Sequence, residues 1–262
     1  MYRIRFHGRG GQGMKTASRI LGSAFFAEGF EVQDAPRYGA ERRGAPIFAY
    51  VRAARDAINE RGIISRPDLV IVADDTLVPV PASGVLAGIG EHTVLLINTT
   101  EDANAWRHRL NIRGPVITLP ASADVGDRAD LPYIGATCAG AAARLVGVIS
   151  RDALAGAIRD ELATLGKSVI ERNLDNALDA WDRMQEHTGL VAEGGMTGAA
   201  DYNSPDWLDL PFEAACVSTP TIYAAANSVQ IRTGLWRTLR PVIDHEHCNR
   251  CWWVCSTFCP DG

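Results

Sequence analysis

Tyr2-Arg3-Ile4-Arg5-Phe6-His7-Gly8-Arg9-Gly10-Gly11-Gln12-Gly13 is the stretch whose reading decides the fold. Its first six residues alternate apolar and polar side chains, which predicts a half-buried β-strand over residues 2–7. The glycines of 8–13 predict a loop. Residues 14–28 then place Ala17, Ile20, Leu21, Ala24 and Phe25 on one face, the spacing of an amphipathic helix. Residues 30–33 read as a second strand, and residues 36–46 as a loop holding Arg37, Glu41, Arg42 and Arg43. A glycine turn that feeds a helix leaves unpaired N–H groups and the positive dipole end facing outward, so Gly8, Gly10, Gly11 and Gly13 are candidate anion-binding residues.

Two nucleotide motifs come close to this loop. Gly8, Gly10 and Gly13 satisfy G-x-G-x-x-G, and Asp34 lies about 20 residues on, where a dinucleotide fold carries its ribose-binding acid. The same glycines also serve a plain tight turn from strand to helix, and both readings stand. The phosphate loop of triphosphatases, G-x-x-x-x-G-K-[ST], fails because Met14 intervenes before Lys15-Thr16. One extra helical residue swings the lysine by about 100° away from a phosphate in the loop.

The remainder continues an alternation of strands and helices. Strands are expected at 47–51, 68–73, 93–97 and 116–119; the apolar run of 68–73 is that of a strand buried on both faces. Asp74-Asp75 ends that run at the position where open α/β sheets bind ligands, which suits a metal or substrate role and equally a helix or turn cap. Residues 137–149 are rich in Ala and Gly and read as a helix pressed close to a neighbour, with Cys138 either a helix-activated thiol or a buried structural one. Ser150 is the expected N-cap of a helix to 162, and 167–187 is a long amphipathic helix. The expected architecture is an open, largely parallel, Rossmann-like three-layer α/β domain over 1–187. A glycine- and aspartate-rich linker over 188–210 follows, then an extended arm and cysteine-rich tail over 211–262.

At 262 residues, 47% hydrophobic, the chain has enough apolar content for a large core, and a net charge of −5 argues against a nucleic-acid partner. There is no signal-peptide pattern and no apolar run of about 18 residues, so a cytoplasmic protein without a membrane span is expected. Four of the 6 cysteines, Cys248, Cys251, Cys255 and Cys259, crowd into the C-terminal tail, the distribution of a metal site and not of a disulfide framework. Their spacing, with Pro260 after the last, is close to the ferredoxin run C-x2-C-x2-C-x3-C-P and favours a 4Fe–4S cluster over a four-thiolate zinc site. The run departs from that pattern by one extra residue between Cys251 and Cys255. No second run precedes Gly262, so a longer parent chain, thiolates from a partner or a lone cluster holding all four is expected.

The opening stretch together with Tyr38-Gly39-Ala40-Glu41-Arg42-Arg43-Gly44-Ala45-Pro46 closely resembles the gamma subunit of 2-oxoacid:ferredoxin oxidoreductases, over about residues 1–187. Residues 211–262, through Gly234-Leu235-Trp236-Arg237-Thr238-Leu239-Arg240-Pro241-Val242 and the cysteines, look like a truncated start of the delta, ferredoxin-like subunit of the same family. The resemblance implies an accessory chain of an enzyme that converts a 2-oxoacid and coenzyme A to acyl-CoA and CO2, with electrons passed to ferredoxin. It implies partner alpha and beta subunits that hold thiamine diphosphate and magnesium. The nearest local match to the thiamine motif, Gly126-Asp127-Arg128, fails at its third residue. Within this chain it points to coenzyme A contact by Gly8, Gly10, Gly11 and Gly13 with Arg42 and Arg43, whose guanidinium forks suit phosphates. A subunit interface for the two arginines fits equally. An independent NAD-binding oxidoreductase and a ligand-free structural subunit are the alternatives.

Overall fold

The computed structural model describes residues 1–37, 45–120 and 134–195, with residues 242, 244 and 246–248 beyond them. The chain divides into two compact units, Met1–Tyr202 and Asn203–Gly262. Arg42, Arg43, Cys251, Cys255 and Cys259 lie outside the described residues, as do Cys216, Gly126-Asp127-Arg128 and the arm at 234–241.

The described residues of the first unit are built on six strands: β1 (Tyr2–Arg9), β2 (Glu31–Arg37), β3 (Pro46–Ala54), β4 (Leu69–Val72), β5 (Val94–Asn98) and β6 (Val116–Leu119). They form one sheet in the order β2-β3-β1-β4-β5-β6. β1, β4, β5 and β6 are parallel, and β3 runs antiparallel to both β1 and β2. Among the described residues, five α-helices accompany them: α1 (Met14–Ala27), α2 (Ala103–Leu110), α3 (Ile134–Val146), α4 (Arg151–Glu161) and α5 (Lys167–Arg183). The expected largely parallel α/β sheet is present. Its first unit is a split βαβ, because β3 is inserted between β1 and the strand that follows α1.

Two faces, two cores. Ile4, Phe6, Val51, Leu69 and Ile71 pack under α1 and α3, with α4 and α5 closing the layer through Leu154, Ile158, Ala177 and Trp181. Val70, Val72, Leu95 and Ile97 face the other way, against Leu77, Val78, Val85 and the buried Trp106 of α2. The α2 helix was not foreseen. Its signals are Asp102, whose carboxylate accepts from the Asn104 and Ala105 N–H groups, and Asn111, in the left-handed region at φ 49. Ser150 caps α4 as expected, accepting from Ala153 N.

The expectation of a half-buried first strand is overturned. Arg5 and His7 are 3% and 2% exposed, level with Val70 and Val72 on the α2 face. The connection between β3 and β5 covers them, and its carbonyls replace water. Arg5 donates to Val85 O at 2.9 Å and to Ile64 O at 3.4 Å, while His7 Nδ1 lies 3.1 Å from Ser83 O. Polar alternation marks a solvent face only when nothing else covers it.

Burial, reinforced by the nearby Arg5 guanidinium, pushes the His7 pKa down to about 3. A depressed pKa means stability that is complete above the unfolded-state value near 6.5 and is lost as the pH falls from there toward 3. In urea titrations across that window, the wild type is expected to lose stability more steeply than His7→Gln, by up to about 1.4 kcal/mol per pH unit. Parallel pH profiles for the two proteins would contradict a buried neutral imidazole.

Candidate functional site

Open α/β sheets bind ligands at the carboxyl ends of the strands, where the connections diverge to opposite sides. In this sheet that place is the crevice between β1, whose chain leads toward β2, and β4, whose chain leads to β5. The glycine loop leaves β1 there, and Asp74-Asp75-Thr76 leaves β4.

β1 continues through Gly8 and Arg9, two residues further than the expected loop allows. Gly8 is required by packing. A Cβ there would lie 2.6 Å from Met14 Cγ, and Met14 is 1% exposed beneath the loop. Gly11 and Gly13 are required by conformation, with φ of 97 and 74. Gly13 is the N-cap of α1, and its carbonyl accepts from Ala17 N at 2.8 Å. Part of the loop's donor capacity is already committed. Gly10 N donates to Ala45 O at 2.9 Å, Gln12 N to Arg9 O at 3.0 Å, and Arg9 N to the Gln12 side-chain oxygen at 2.7 Å.

Side chains bridge the crevice. Arg9 Nε lies 3.0 Å from the Asp74 carboxylate and its Nη2 2.9 Å from Thr76 Oγ1, while Gln12 Nε2 approaches the same carboxylate at 3.4 Å. The Thr76 N–H and hydroxyl both donate to the other Asp74 oxygen. Burial would raise the Asp74 pKa, but the Thr76 hydrogen bonds and the Arg9 charge outweigh it and hold the carboxyl low. Of the two roles open to the acid pair, Asp74 takes the cap of the short 3-10 turn Asp75–Leu77, and Asp75 accepts from Thr99 Oγ1 at 2.8 Å. Among the described residues, no cluster of three or more His, Cys, Asp or Glu is placed to hold a metal ion.

A second helix start meets the loop. Gly135, in the first turn of α3, approaches so closely that a Cβ would lie 2.7 Å from Gly13 O. The two N-termini border a cleft of about 270 Å³ lined by Gly13, Thr16, Gly135 and Asn173, with Leu162, Leu165 and Val169 as its apolar wall. A pocket with two dipole ends on one side and aliphatic groups on the other suits a ligand that joins phosphate to an apolar arm. Sequence reasoning found the loop but missed Gly135, Thr16 and Asn173, as well as the pairing of Arg9 and Gln12 with Asp74. Arg9 sits inside the quoted motif. Nothing local ties it to an acid 65 positions away.

The dinucleotide reading fails on topology. That fold puts the strand after the helix directly beside β1, with its acid at the carboxyl end. Here Asp34 is exposed on the edge strand β2, paired with Val51 and so level with Ile4, with all of β3 between it and β1. Cys138 is the buried structural thiol of the two alternatives, its pKa pushed up to about 12 by burial. Cys248 is exposed and free, its N–H donating to Asp244 O at 2.9 Å.

The fold and the site thus define an α/β domain of split-βαβ type, with a glycine loop at its switch point and no dinucleotide acid in place. The family model described as pyruvate ferredoxin/flavodoxin oxidoreductase matches residues 3–182, and the chain belongs to that family. It is 33% identical over 186 residues to the pyruvate/ketoisovalerate oxidoreductases common subunit gamma of Pyrococcus abyssi, covering 71% of this chain and 98% of that one. It is 34% identical over 189 residues to pyruvate synthase subunit PorC of Methanothermobacter marburgensis, covering 72% of this chain and all 100% of the relative. The crystal structure of pyruvate oxidoreductase subunit PORC from Thermotoga maritima superposes with a TM-score of 0.57 at 30% identity, covering 69% of this chain and 95% of that one. The Pyrococcus relative is a subunit gamma, as the opening motifs imply.

Proposed function

We propose that this chain is the gamma-type accessory subunit of a cytoplasmic, thiamine-dependent 2-oxoacid:ferredoxin oxidoreductase, fused to the start of a delta-type segment. The assembly converts a 2-oxoacid and coenzyme A to acyl-CoA and CO2 and delivers two electrons to ferredoxin. Alpha and beta chains carry thiamine diphosphate and magnesium and break the carbon–carbon bond, so this chain on its own is inactive. Its own part is to hold coenzyme A against the glycine loop, to join the subunits, and to carry one end of an electron relay. The observation that carries this reading is the meeting of the α1 and α3 N-termini at the cleft beside Gly13, on a chain of this family. The phosphates of coenzyme A suit the helix starts at Gly13 and Gly135, and its pantetheine arm suits Leu162, Leu165 and Val169.

Arg42 and Arg43 belong to the same reading. Gly10 N holds the carbonyl of Ala45, two positions after Arg43, which ties the end of the arginine-bearing segment to the glycine loop. In the tail, Cys248, Cys251, Cys255 and Cys259 offer four soft thiolates, a donor set that fits iron, and a 4Fe–4S cluster there would supply one-electron transfer.

In the assembled complex, the double variant Arg42→Ala, Arg43→Ala is expected to raise the KM for coenzyme A by about tenfold or more, as for loss of charge-assisted hydrogen bonds. kcat and assembly should stay intact. Loss of assembly with an unchanged KM would instead make the two arginines an interface and remove them from the coenzyme A site.

A further inference from the structure

The opposite end of the sheet, away from the glycine loop, carries an ionic cluster with no part in the site described above. After α5 and a short 3-10 turn the chain bends at Gly189, with φ of 70, and runs back along the end of α3. Gly189 N donates to Arg144 O at 3.3 Å and Val191 N to Leu145 O at 3.0 Å, and Val191 is 2% exposed. Gly147 makes room for the bend, since a Cβ there would lie 2.7 Å from the Gly189 Cα.

The chain then reaches the N-terminal ends of β1 and β4. Glu193 pairs with the Met1 ammonium at 2.6 Å, and the same ammonium donates to Gly194 O at 2.8 Å. Arg3 Nη2 donates to Gly195 O at 2.9 Å. Arg3 is itself held in place by the Glu60 carboxylate at 3.1 Å and 2.5 Å, and the Arg3 N–H donates to the Asp68 carboxylate at 2.7 Å. Arg52 adds a second guanidinium 3.6 Å from Glu60. Gly194 lies flat on this cluster: a Cβ would stand 2.6 Å from Asp68 Oδ1 and 2.9 Å from Arg3 Nη1. The next residue, Gly195, has open space around it. A residue laid against the paired ends of Asp68 and Arg3, at the point where two main-chain carbonyls are held by buried cations, is the mark of a seated segment, not of a free tether.

We infer that residues 189–195 form a strap, anchored by Met1, Arg3 and Asp68, that fixes the point at which the C-terminal extension leaves the α/β domain. Residues 193–195 thereby lie at the base of the sheet, held by Met1 and Arg3. The inference is independent of what the glycine loop binds.

The two adjacent glycines supply the test. Hydrogen exchange by mass spectrometry on the full chain, with any tag at the C-terminus so that the Met1 amine is free, reports on the peptide containing Val191. Gly194→Ala has to push aside the ends of Asp68 and Arg3, the latter holding Gly195 O, and is expected to speed the exchange by about tenfold, the response to about 1.4 kcal/mol of lost local protection, while peptides of β4 and β5 stay unchanged. Gly195→Ala should leave the peptide at the wild-type rate. Glu193→Gln, half-exposed and without risk to the core, should act in the same direction as Gly194→Ala by freeing the Met1 end. Wild-type exchange in both Gly194→Ala and Glu193→Gln, or a wild-type Val191 amide that exchanges at the unprotected rate, overturns the strap.

Discussion

Gly140→Ala is expected to destabilise the protein by about 3 kcal/mol or to stop it folding, the upper range for overpacking a close-packed seam. Gly140 lies in α3 where α5 crosses. An added Cβ would stand closest to the carbonyl oxygen of Ala177, 2.7 Å from the carbonyl carbon and 2.9 Å from the Cα of the same residue. All three are backbone atoms of a helix whose neighbours Ala177 and Ala180 are fully buried, so no side chain can rotate away and α3 and α5 must separate. Separation opens the layer that covers Ile4, Phe6, Leu69 and Ile71. Gly156 is the matched control. It is also within a helix, α4, but has nothing within 4 Å of the added atom. Gly156→Ala should be neutral or stabilising by up to about 1 kcal/mol, through helix propensity alone. Urea denaturation of the two variants measures both, and similar midpoints would contradict the close approach of α3 to α5.

Gly135→Ala is expected to damage the cleft more than the fold. The added Cβ would be 2.7 Å from Gly13 O, 3.2 Å from Gly13 C and 3.4 Å from Gln12 O. Relief requires the start of α3 to move off the start of α1, which pulls apart the two N-termini that face the cleft. Within the proposed assembly, the KM for coenzyme A should rise by at least about tenfold, with a loss of stability of about 1–3 kcal/mol. Gly11→Ala separates strain from clash. Its φ of 97 costs about 1–2 kcal/mol for any side chain, while the space around it is open. Full coenzyme A affinity in Gly135→Ala, measured beside a clear stability loss, would locate the phosphates elsewhere and leave the packing argument standing. Unchanged stability would remove the packing argument itself.

What could be read in advance was local. The β6 strand falls on the expected residues, and β5, β4 and β3 contain or nearly match theirs, because runs such as Val94-Leu95-Leu96-Ile97 need no partner to be recognised. The Ser150 cap and the close approach of the alanine-rich α3 were legible for the same reason: a cap is made within three residues, and a helix of small side chains has only one use for them. The glycine loop was legible as a turn onto a helix N-terminus. Its partners were not, since Ala45, Asp74 and Gly135 stand far from it in the chain. The α2 helix was missed because eight residues with one buried apolar side chain, Trp106, hardly make a periodicity.

By itself, then, the sequence determined the alternation of strands and helices, the turn that aims α1 outward, the crowding of thiols in the tail, and the family through two motifs, around the glycines and around Arg42-Arg43. The tertiary structure alone decided that β3 lies between β1 and β2, that Arg5 and His7 are interior, and that Arg9 spans the crevice to Asp74. The division has one physical cause. Dihedral preference, capping and side-chain period act within a few residues, whereas a strand's hydrogen-bond edge and a buried cation are satisfied by whichever distant backbone the closed fold brings against them.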